Sequence, residues 1–199
     1  MKKQVTNLET ELKVYFVTPP KVPEISTTQY IIQEYYNDPQ KRILNIIKKW
    51  FGDVLNFKFC EIRIRIYCDK QFSKSEKIYL TLKGRYRKSI SRKTYEKEIT
   101  GKQYLELFTL LQKASMLQKI RVRWPIFYKY KRKHYVFFIE HDTVINSPFH
   151  FWEIEFFPEN LELVKKLLWN LYGSYKIFPS KTVTNKKLAT ALKIYDPIL

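Results

Sequence analysis

The sequence predicts an α+β fold built on an antiparallel sheet that closes into a barrel, with helices packed outside it. Several segments alternate charged and apolar residues with a period of two, which is typical of strands with one polar face. Amphipathic helical segments lie between them and need an apolar surface to cover. If the helices cover the apolar face of the sheet, closure removes the sheet edges and collects the charged side chains inside.

Seven strands are visible from this alternation. The first covers residues 8–17 and places Glu9, Glu11 and Lys13 on one face, with apolar side chains on the other. The other six cover residues 61–67, 77–87, 92–99, 119–123, 135–144 and 151–157, and most carry two or more charges on one side. A half-buried sheet would expose such charges to water, so for any single strand a solvated face is the alternative.

Three helices are predicted between and after the strands. Residues 38–52 form one, with Asp38 as the N-cap and Gly52 just beyond the end. Residues 159–172 form another, which follows Pro158 and ends at Gly173. The third covers residues 102–118, with an apolar stripe at roughly helical spacing made of Leu105, Phe108, Leu111 and Leu117.

The charge balance indicates an anionic partner or substrate. The chain has 37 Lys and Arg residues against 19 Asp and Glu, a formal net charge of +18. Nucleic acid is one such partner, but the basic residues are spread through the predicted strands. Only residues 129–134 form a dense basic run, which also fits a solvated hairpin.

Cys60 and Cys68 have no second pair, so neither a zinc site nor a disulfide framework is predicted.

The length suits one domain. We expect a single domain over residues 1–199, with a core over about 6–172 and a C-terminal extension over 174–199, in which residues 186–194 form a short helix. No segment approaches the roughly 18 apolar residues of a membrane-spanning helix, and no apolar signal segment follows Met1. The expected location is the cytoplasm, without a membrane partner, and the oligomeric state stays open.

Three carboxylate pairs occupy alternate positions on predicted strands: Glu9 with Glu11, Glu96 with Glu98, and Glu153 with Glu155. Carboxylates at i and i+2 of a strand project side by side, which suits hard cations that take oxygen ligands. The cations that would share this charged face are Arg63, Arg65, Lys83, Arg92, Lys119 and Arg121. Such side chains neutralise phosphate groups. The pattern therefore predicts a site for phosphate and a divalent metal.

The segment Glu9-Thr10-Glu11-Leu12-Lys13 resembles the Glu-x-Glu-x-Lys hallmark of the triphosphate tunnel metalloenzymes, also called the CYTH superfamily. Further segments similar to those of the family follow in the same order: Arg63 and Arg65, Thr81-Leu82-Lys83-Gly84, residues 91–98, Lys119 and Arg121, Asp142, and Glu153-Ile154-Glu155. The resemblance covers residues 9 to about 172. Thr94 departs from it, because many members have a glutamate there, and Glu140 competes with Asp142 because both share a face.

The resemblance implies a closed eight-stranded antiparallel tunnel that holds a triphosphate with Mg²⁺ or Mn²⁺, where water attacks the terminal phosphorus. On this basis Glu9, Glu11, Glu153 and Glu155 would bind the metal. Lys13, Arg63, Arg65, Lys83, Arg92, Lys119 and Arg121 would bind the phosphates. Glu96 and Asp142, with Lys13, would be catalytic, and the two carboxylates would serve either the metal or the water.

The implied activity is a triphosphatase, a metal-dependent hydrolase of inorganic triphosphate or a related compound. The residues do not choose between a small triphosphate, an RNA 5′-triphosphate end and polyphosphate as the substrate. Two alternatives remain open. A nucleotide cyclase of the class IV adenylyl cyclase type uses a similar tunnel, and a non-catalytic module would bind polyphosphate or RNA without hydrolysis.

Overall fold

The computed structural model describes residues 7–16, 19–55, 57–85, 91–148, 150–156, 158–173 and 175–178. Within these residues the chain is an α+β protein. The strands are β1 (Asn7–Phe16), β2 (Thr27–Asn37), β3 (Phe59–Cys68), β4 (Ser75–Gly84), β5 (Ser91–Ile99), β6 (Gln112–Tyr130), β7 (Lys133–Val144), β8 (His150–Glu155) and β9 (Tyr175–Phe178). The helices are α1 (Ile43–Phe51), α2 (Gly101–Leu110) and α3 (Leu161–Tyr172), and a 3₁₀ turn at Pro158–Asn160 precedes α3.

Eight of these strands form a ring of antiparallel pairs. The order is β5-β4-β3-β2-β6-β7-β8-β1, and β1 pairs with β5 to close the ring. Closure involves only Asn7–Thr10 of β1, which face residues 94–91 of β5. The second half of β1, from Lys13 to Phe16, pairs with β9 instead. β5 and β9 thus share one side of β1 and protect most of that edge.

The period of two directs the strand side chains alternately into and out of the ring. On β3, Ile62, Ile64 and Ile66 belong to an outer apolar cluster, whereas Arg63 on the opposite face is 4% exposed. One outer core packs α1 and α2 on β2–β5, and a second packs α3 on β1 and β6–β8. The predicted charged face is therefore confirmed, and it faces inward, not towards water.

The helix predicted over residues 102–118 is wrong in its second half. Thr100 and Gln103 form a capping box at the start of α2, but the helix ends at Leu110 and β6 begins at Gln112. Residues 112–118 pair with β2 from Asn37 to Ile32, so sheet pairing outweighs their helical spacing. Leu105 and Phe108 of the proposed apolar stripe are exposed, and Leu107 is the buried residue of α2.

The alternation also missed β2 and β9. β2 has apolar or aromatic residues on both faces, for example Ile31 inside the ring and Tyr36 in the outer core, so it shows little charge alternation. The predicted N-cap Asp38 accepts hydrogen bonds from the backbone N–H groups of Arg42 and Ile43, although α1 itself begins at Ile43. The helix predicted at residues 186–194 lies outside the described residues.

Among the described residues, no helix has the length and hydropathy to cross a membrane.

Candidate functional site

The interior of the ring is lined by charged side chains that are almost inaccessible to solvent. Lys119 and Asp142 are 0% exposed, and Arg63 and Arg121 are both 4% exposed. Other buried charged residues on inward positions are Glu11, Lys13, Glu61, Lys83, Arg92, Glu140 and Glu153. Charge is expensive to bury without partners. The pairing of these groups therefore shows which of them stabilise the ring and which remain available to bind a ligand.

On β1, β6, β7 and β8 each buried cation contacts a carboxylate, and we call this side the paired wall. Two of its buried atoms, Arg123 Nε and Glu140 Oε2, lack a regular hydrogen bond among the described residues but lie within ion-pair distance of a partner. Arg121 is its centre. Its Nε lies 2.6 Å from Asp142 Oδ1, and its Nη2 lies 2.8 Å from Asp142 Oδ2 and 3.0 Å from Glu153 Oε2. Arg121 Nη1 also contacts Glu140. Cross-strand register explains the arrangement, because Arg121 faces Asp142 and Glu140 faces Glu153 on neighbouring strands.

The other cations of the paired wall are Lys13, Lys119 and Arg123. Lys13 pairs with Glu153, Lys119 pairs with Asp142, and Arg123 Nη2 lies 2.9 Å from Glu155 Oε2. Every one of these cations thus has a carboxylate in direct contact.

Protonation in the paired wall follows from burial and from these partners. Burial alone would raise the pKa of Asp142, but Arg121 and then Lys119 outweigh it and hold that pKa well below its ordinary value. Burial lowers the pKa of Lys119, and the positive charge of Arg121 adds to this while Asp142 opposes it. Burial also lowers the pKa of Lys13, against the opposing charges of Glu11 and Asp142. Asp142 is consequently ionised at neutral pH.

The facing side of the ring, formed by β2, β3 and β4 with Ser115 at the start of β6, is different, and we call it the open wall. Four buried polar atoms there have no hydrogen-bond partner among the described residues: Gln33 Oε1, Arg63 Nε, Arg65 Nε and Ser115 Oγ. Register places them together, because Gln33 faces Arg65, and Tyr35 faces both Arg63 and Ser115.

The two open-wall arginines have few contacts among the described residues. Arg63 Nη2 is 3.8 Å from Glu96 Oε2, which exceeds a hydrogen-bond distance, and Arg65 Nη1 donates to the Tyr67 hydroxyl at 3.1 Å. Buried donors without acceptors are rare in folded proteins and require an explanation. A bound anion would provide the missing acceptors.

Glu96 lies beside the open wall and is partly exposed. Its carboxylate accepts a hydrogen bond from Thr81 Oγ1 at 2.8 Å. Burial would raise the pKa of Glu96, but Arg65, Arg63, Thr81 and Lys83 together lower it. Lys83 is buried on the next inward position of β4, opposite Glu61. Arg92 contacts Glu11 at 3.8 Å and Glu61 at 4.0 Å, and it links the open wall to β1.

The four glutamates predicted to bind a metal do not behave alike. Glu153 is paired with Lys13 and Arg121. Glu11 and Glu155 face each other across the β1–β8 pair, where two like charges repel unless a cation lies between them. The side chain of Glu9 lies outside the described residues. No cluster of three or more His, Cys, Asp or Glu side chains suited to a metal occurs in the part of the chain that the structure describes.

Mg²⁺ usually needs only one or two protein carboxylates, because phosphate oxygens and water complete its coordination. The facing pair of Glu11 and Glu155 fits that requirement. Arg92 lies 3.8 Å from Glu11, and Arg123 contacts Glu155.

A cavity of about 570 Å³ opens at one mouth of the ring. Its lining includes Gln29, Tyr67, Tyr79 and Glu96, and it carries both signs of charge, with Lys70 and Lys77 beside Asp69 and Glu76. Tyr67 and Tyr79 contact each other edge to face with centroids 5.7 Å apart, and Tyr67 also holds Arg65. The cavity therefore leads from solvent to the open wall.

Several interior residues were missing from the predicted site. Gln33, Tyr35 and Ser115 lie beside Arg63 and Arg65, and Glu61 and Arg123 extend the same faces. Glu61 lies two residues before Arg63 and Arg123 two residues after Arg121, so the alternation of the strands already places both on the predicted charged face. Ser115 is uncharged and lies on a segment without charge alternation, so the sequence offers no comparable signal for it.

No protein-family model matches the sequence. No curated protein matches it significantly either. Among solved structures, the hypothetical protein NE1496 superposes with a TM-score of 0.47 at 19% identity, over 92% of this chain and 97% of that chain. A "putative adenylate cyclase" (bh2851) from Bacillus halodurans superposes with a TM-score of 0.47 at 14% identity, over 86% and 93% of the two chains. These two likenesses are too loose to support an argument.

The PH1819 protein from Pyrococcus horikoshii OT3 superposes more closely, with a TM-score of 0.59 at 22% identity. The match covers 94% of this chain and 99% of that chain. The chain therefore shares the fold of PH1819 over nearly its whole length.

Proposed function

We propose that the ring is a tunnel of the triphosphate tunnel metalloenzyme type, which binds a triphosphate inside and hydrolyses its terminal phosphoanhydride bond with the help of a divalent metal. The open wall is the observation that carries this proposal. The buried Nε donors of Arg63 and Arg65 have no hydrogen-bond acceptor among the described residues. Phosphate oxygens match the geometry of guanidinium groups and would fill these positions.

The two walls would contribute differently to phosphate binding. Arg63, Arg65, Lys83 and Arg92 lie on or next to the open wall and would hold the phosphate chain. Lys13, Lys119 and Arg121 were also predicted to bind phosphate, and their carboxylate partners would keep them oriented in the facing wall. Asp142 would then serve chiefly as the counter-ion that positions Lys119 and Arg121.

Glu11 and Glu155 would hold Mg²⁺ or Mn²⁺, with Glu9 and Glu153 as the further carboxylates that the sequence predicts. The metal would neutralise phosphate charge and polarise the bond that breaks. The protein side chains would orient the attacking water and stabilise the transition state. The low pKa of Glu96 keeps this carboxylate ionised at neutral pH, so it can accept a hydrogen bond from the attacking water and orient it. Arg63 and Arg65 would stabilise the charge of the transition state by donating to phosphate oxygens.

The cavity at the mouth supports a second candidate, a nucleotide cyclase. Its volume of about 570 Å³ is in the range of roughly 300–1,000 Å³ typical of small-molecule sites. Tyr67 and Tyr79 could contact an organic group while the phosphates lie against Arg65. Incubation with ATP and analysis of the products separates the two activities, because a hydrolase releases phosphate and a cyclase releases pyrophosphate with a cyclic nucleotide.

The decisive experiment is phosphate release from tripolyphosphate by the purified protein with Mg²⁺ or Mn²⁺. Arg63→Met should lower kcat/KM by roughly 100- to 1,000-fold, the usual effect of removing one donor to a transition-state oxyanion. Lys48→Gln on the outer surface is the control, and it should hydrolyse at the wild-type rate. Absence of phosphate release by the wild-type protein, from tripolyphosphate and from nucleoside triphosphates with either metal, would contradict the proposal.

A further inference from the structure

Strands β6 and β7 extend beyond the ring as a two-stranded ribbon. β2 stops pairing with β6 at Arg123, and β8 stops pairing with β7 at Phe138. Residues 124–130 and 133–137 therefore have no third strand beside them in the described part of the chain. The first residues of β2 and the lining residue Gln29 lie at this same end of the ring, so the ribbon projects from the mouth that holds the cavity.

One face of the ribbon is supported by the protein. Tyr128 and Tyr135 face each other across the ribbon and pack against the outer core that contains α3. Tyr128 stacks on Tyr130 with centroids 6.3 Å apart, and Lys166 of α3 lies 5.0 Å from the centre of the Tyr130 ring. The helix thus covers this face and holds the ribbon in a fixed direction.

The opposite face is exposed and continues the inner surface of the ring. Because strand side chains alternate, Phe127 and Lys129 share the face of Arg121 and Arg123, while Val136 and His134 share the face of Glu140. Arg123 lies over the ring of Phe138 at 4.0 Å, which marks the rim between the interior and the ribbon. Phe127 is 72% exposed. An extended chain lying on this face would lead directly into the tunnel.

The charge of the ribbon has one sign. Residues 124–137 contain no Asp or Glu, and their cations are Lys129, Lys131, Arg132 and Lys133, all of them exposed. Lys131 and Arg132 form the two-residue turn with positive φ angles of 45° and 64°. A turn of this kind favours Asn-Gly, and bulky side chains adopt it only under strain. The sequence therefore keeps two cations at the tip where other residues would give a more stable hairpin.

We propose that this ribbon binds single-stranded nucleic acid and guides its terminal phosphates into the ring. A basic surface with an exposed aromatic ring is the usual means of holding single strands, because the cations neutralise the backbone and the bases stack on the aromatic face. The inference rests on the proposed function only for the step in which the terminal phosphates of the nucleic acid enter the ring. Binding along the ribbon is a separate property.

The test is fluorescence anisotropy with 20-nucleotide oligo(U) and oligo(dT) that carry 5′-hydroxyl ends, so that binding needs no triphosphate. Both should bind with comparable affinity, because the ribbon contacts backbone and base faces and makes no base-specific contacts. Phe127→Ala should weaken binding about tenfold, in line with the loss of one base-stacking contact. Leu105→Ala is the matched control, since Leu105 is 62% exposed on α2, and it should leave the affinity unchanged.

The double variant Lys131→Asn/Arg132→Gly separates charge from folding. It should bind the oligonucleotides more weakly, with a salt-dependence slope reduced by up to about 1.4 units, because two cations are removed and about 0.7 counterion is released per phosphate contact. Its thermal midpoint should equal or exceed that of the wild type, because the new residues suit the turn. Lys41→Gln/Lys48→Gln removes the same charge from the region of α1 and should keep the wild-type affinity.

Wild-type affinity in both ribbon variants would overturn the inference. So would retention of the protein on anionic lipid vesicles with no binding to either oligonucleotide. Tripolyphosphate hydrolysis is measured in parallel, and the ribbon variants should retain it. Ribbon-dependent binding without hydrolysis in the wild type would leave this inference intact and refute the proposed function, whereas hydrolysis without ribbon-dependent binding would do the reverse.

Discussion

Arg121 and Arg63 are equally buried inside the ring, yet they lie in opposite environments. Arg121 in the paired wall contacts Asp142, Glu140 and Glu153. Within the described part of the chain, the carboxylate nearest to Arg63 in the open wall is Glu96 at 3.8 Å, and Arg63 Nε has no acceptor there. Burial alone does not separate a structural charge from one kept for a ligand. The difference lies in whether the protein itself supplies the partners.

The largest expected effect comes from removing the centre of the paired wall. Arg121→Met should lower the free energy of unfolding by about 3–5 kcal/mol, because it leaves buried carboxylates without their cation. Urea denaturation followed by circular dichroism measures it. Arg63→Met is the matched control in the open wall and should change stability by less than about 1 kcal/mol, since little compensation is lost. Equal destabilisation by both variants would contradict the division into two walls.

The next effect is the pH dependence that Asp142 gives to the paired wall. The pKa of Asp142 is lower in the folded protein than the ordinary value of about 3.9 that it has in the unfolded chain. Ionised Asp142 therefore contributes stability above that value, and the contribution is lost as the pH falls through the folded pKa. The difference in urea midpoint between the wild type and Asp142→Asn should be greatest near neutral pH and should shrink below about pH 4.

Glu24→Gln on the surface is the control for Asp142→Asn and should show no such convergence. A difference between the wild type and Asp142→Asn that stays constant from pH 7 to pH 3 would show that the Asp142 charge does not stabilise the fold.

The smallest expected effect compares two buried serines. Ser115 Oγ has no hydrogen-bond partner in the described residues, so Ser115→Ala should leave stability unchanged or raise it by up to about 1 kcal/mol. Ser91 Oγ lies 2.9 Å from Thr10 Oγ1 at the ring seam, and Ser91→Ala should lower stability by about 1–3 kcal/mol because Thr10 loses its partner. Differential scanning calorimetry of both variants tests the contrast, and a loss of stability in Ser115→Ala would refute the unpaired state of its hydroxyl.

Much of the fold was predictable where the period of two was pure. β1, β3 and β7 carry charges on one face and mostly apolar residues on the other, and the structure places Glu11, Lys13, Arg63, Glu140 and Asp142 inside the ring. The pattern fails in β2, where Ile31 and Tyr35 put apolar groups inside. It fails again at residues 112–118, where helical spacing and strand pairing with β2 competed.

The sequence predicted which residues lie in the candidate site but not which ion pairs they form. Arg63, Lys83, Arg121 and Asp142 were all expected on the charged face, and all are buried within it. Which cation meets which carboxylate depends on the register between strands distant in sequence, and single-strand patterns contain no such information. The open wall could not be predicted for the same reason, because a missing partner becomes visible only when all the neighbours are in place.

The seam between β1 and β5 bears on how the molecule is made. β1 meets β5 over only four residue pairs, and its other partners β8 and β9 are the last strands of the described chain. Contacts between such distant segments form late in folding, since a long loop must be closed before they stabilise anything. During synthesis β1 can therefore pair with β8 and β9 only after those strands have been made. We expect the charged interior to stay hydrated until the ring closes.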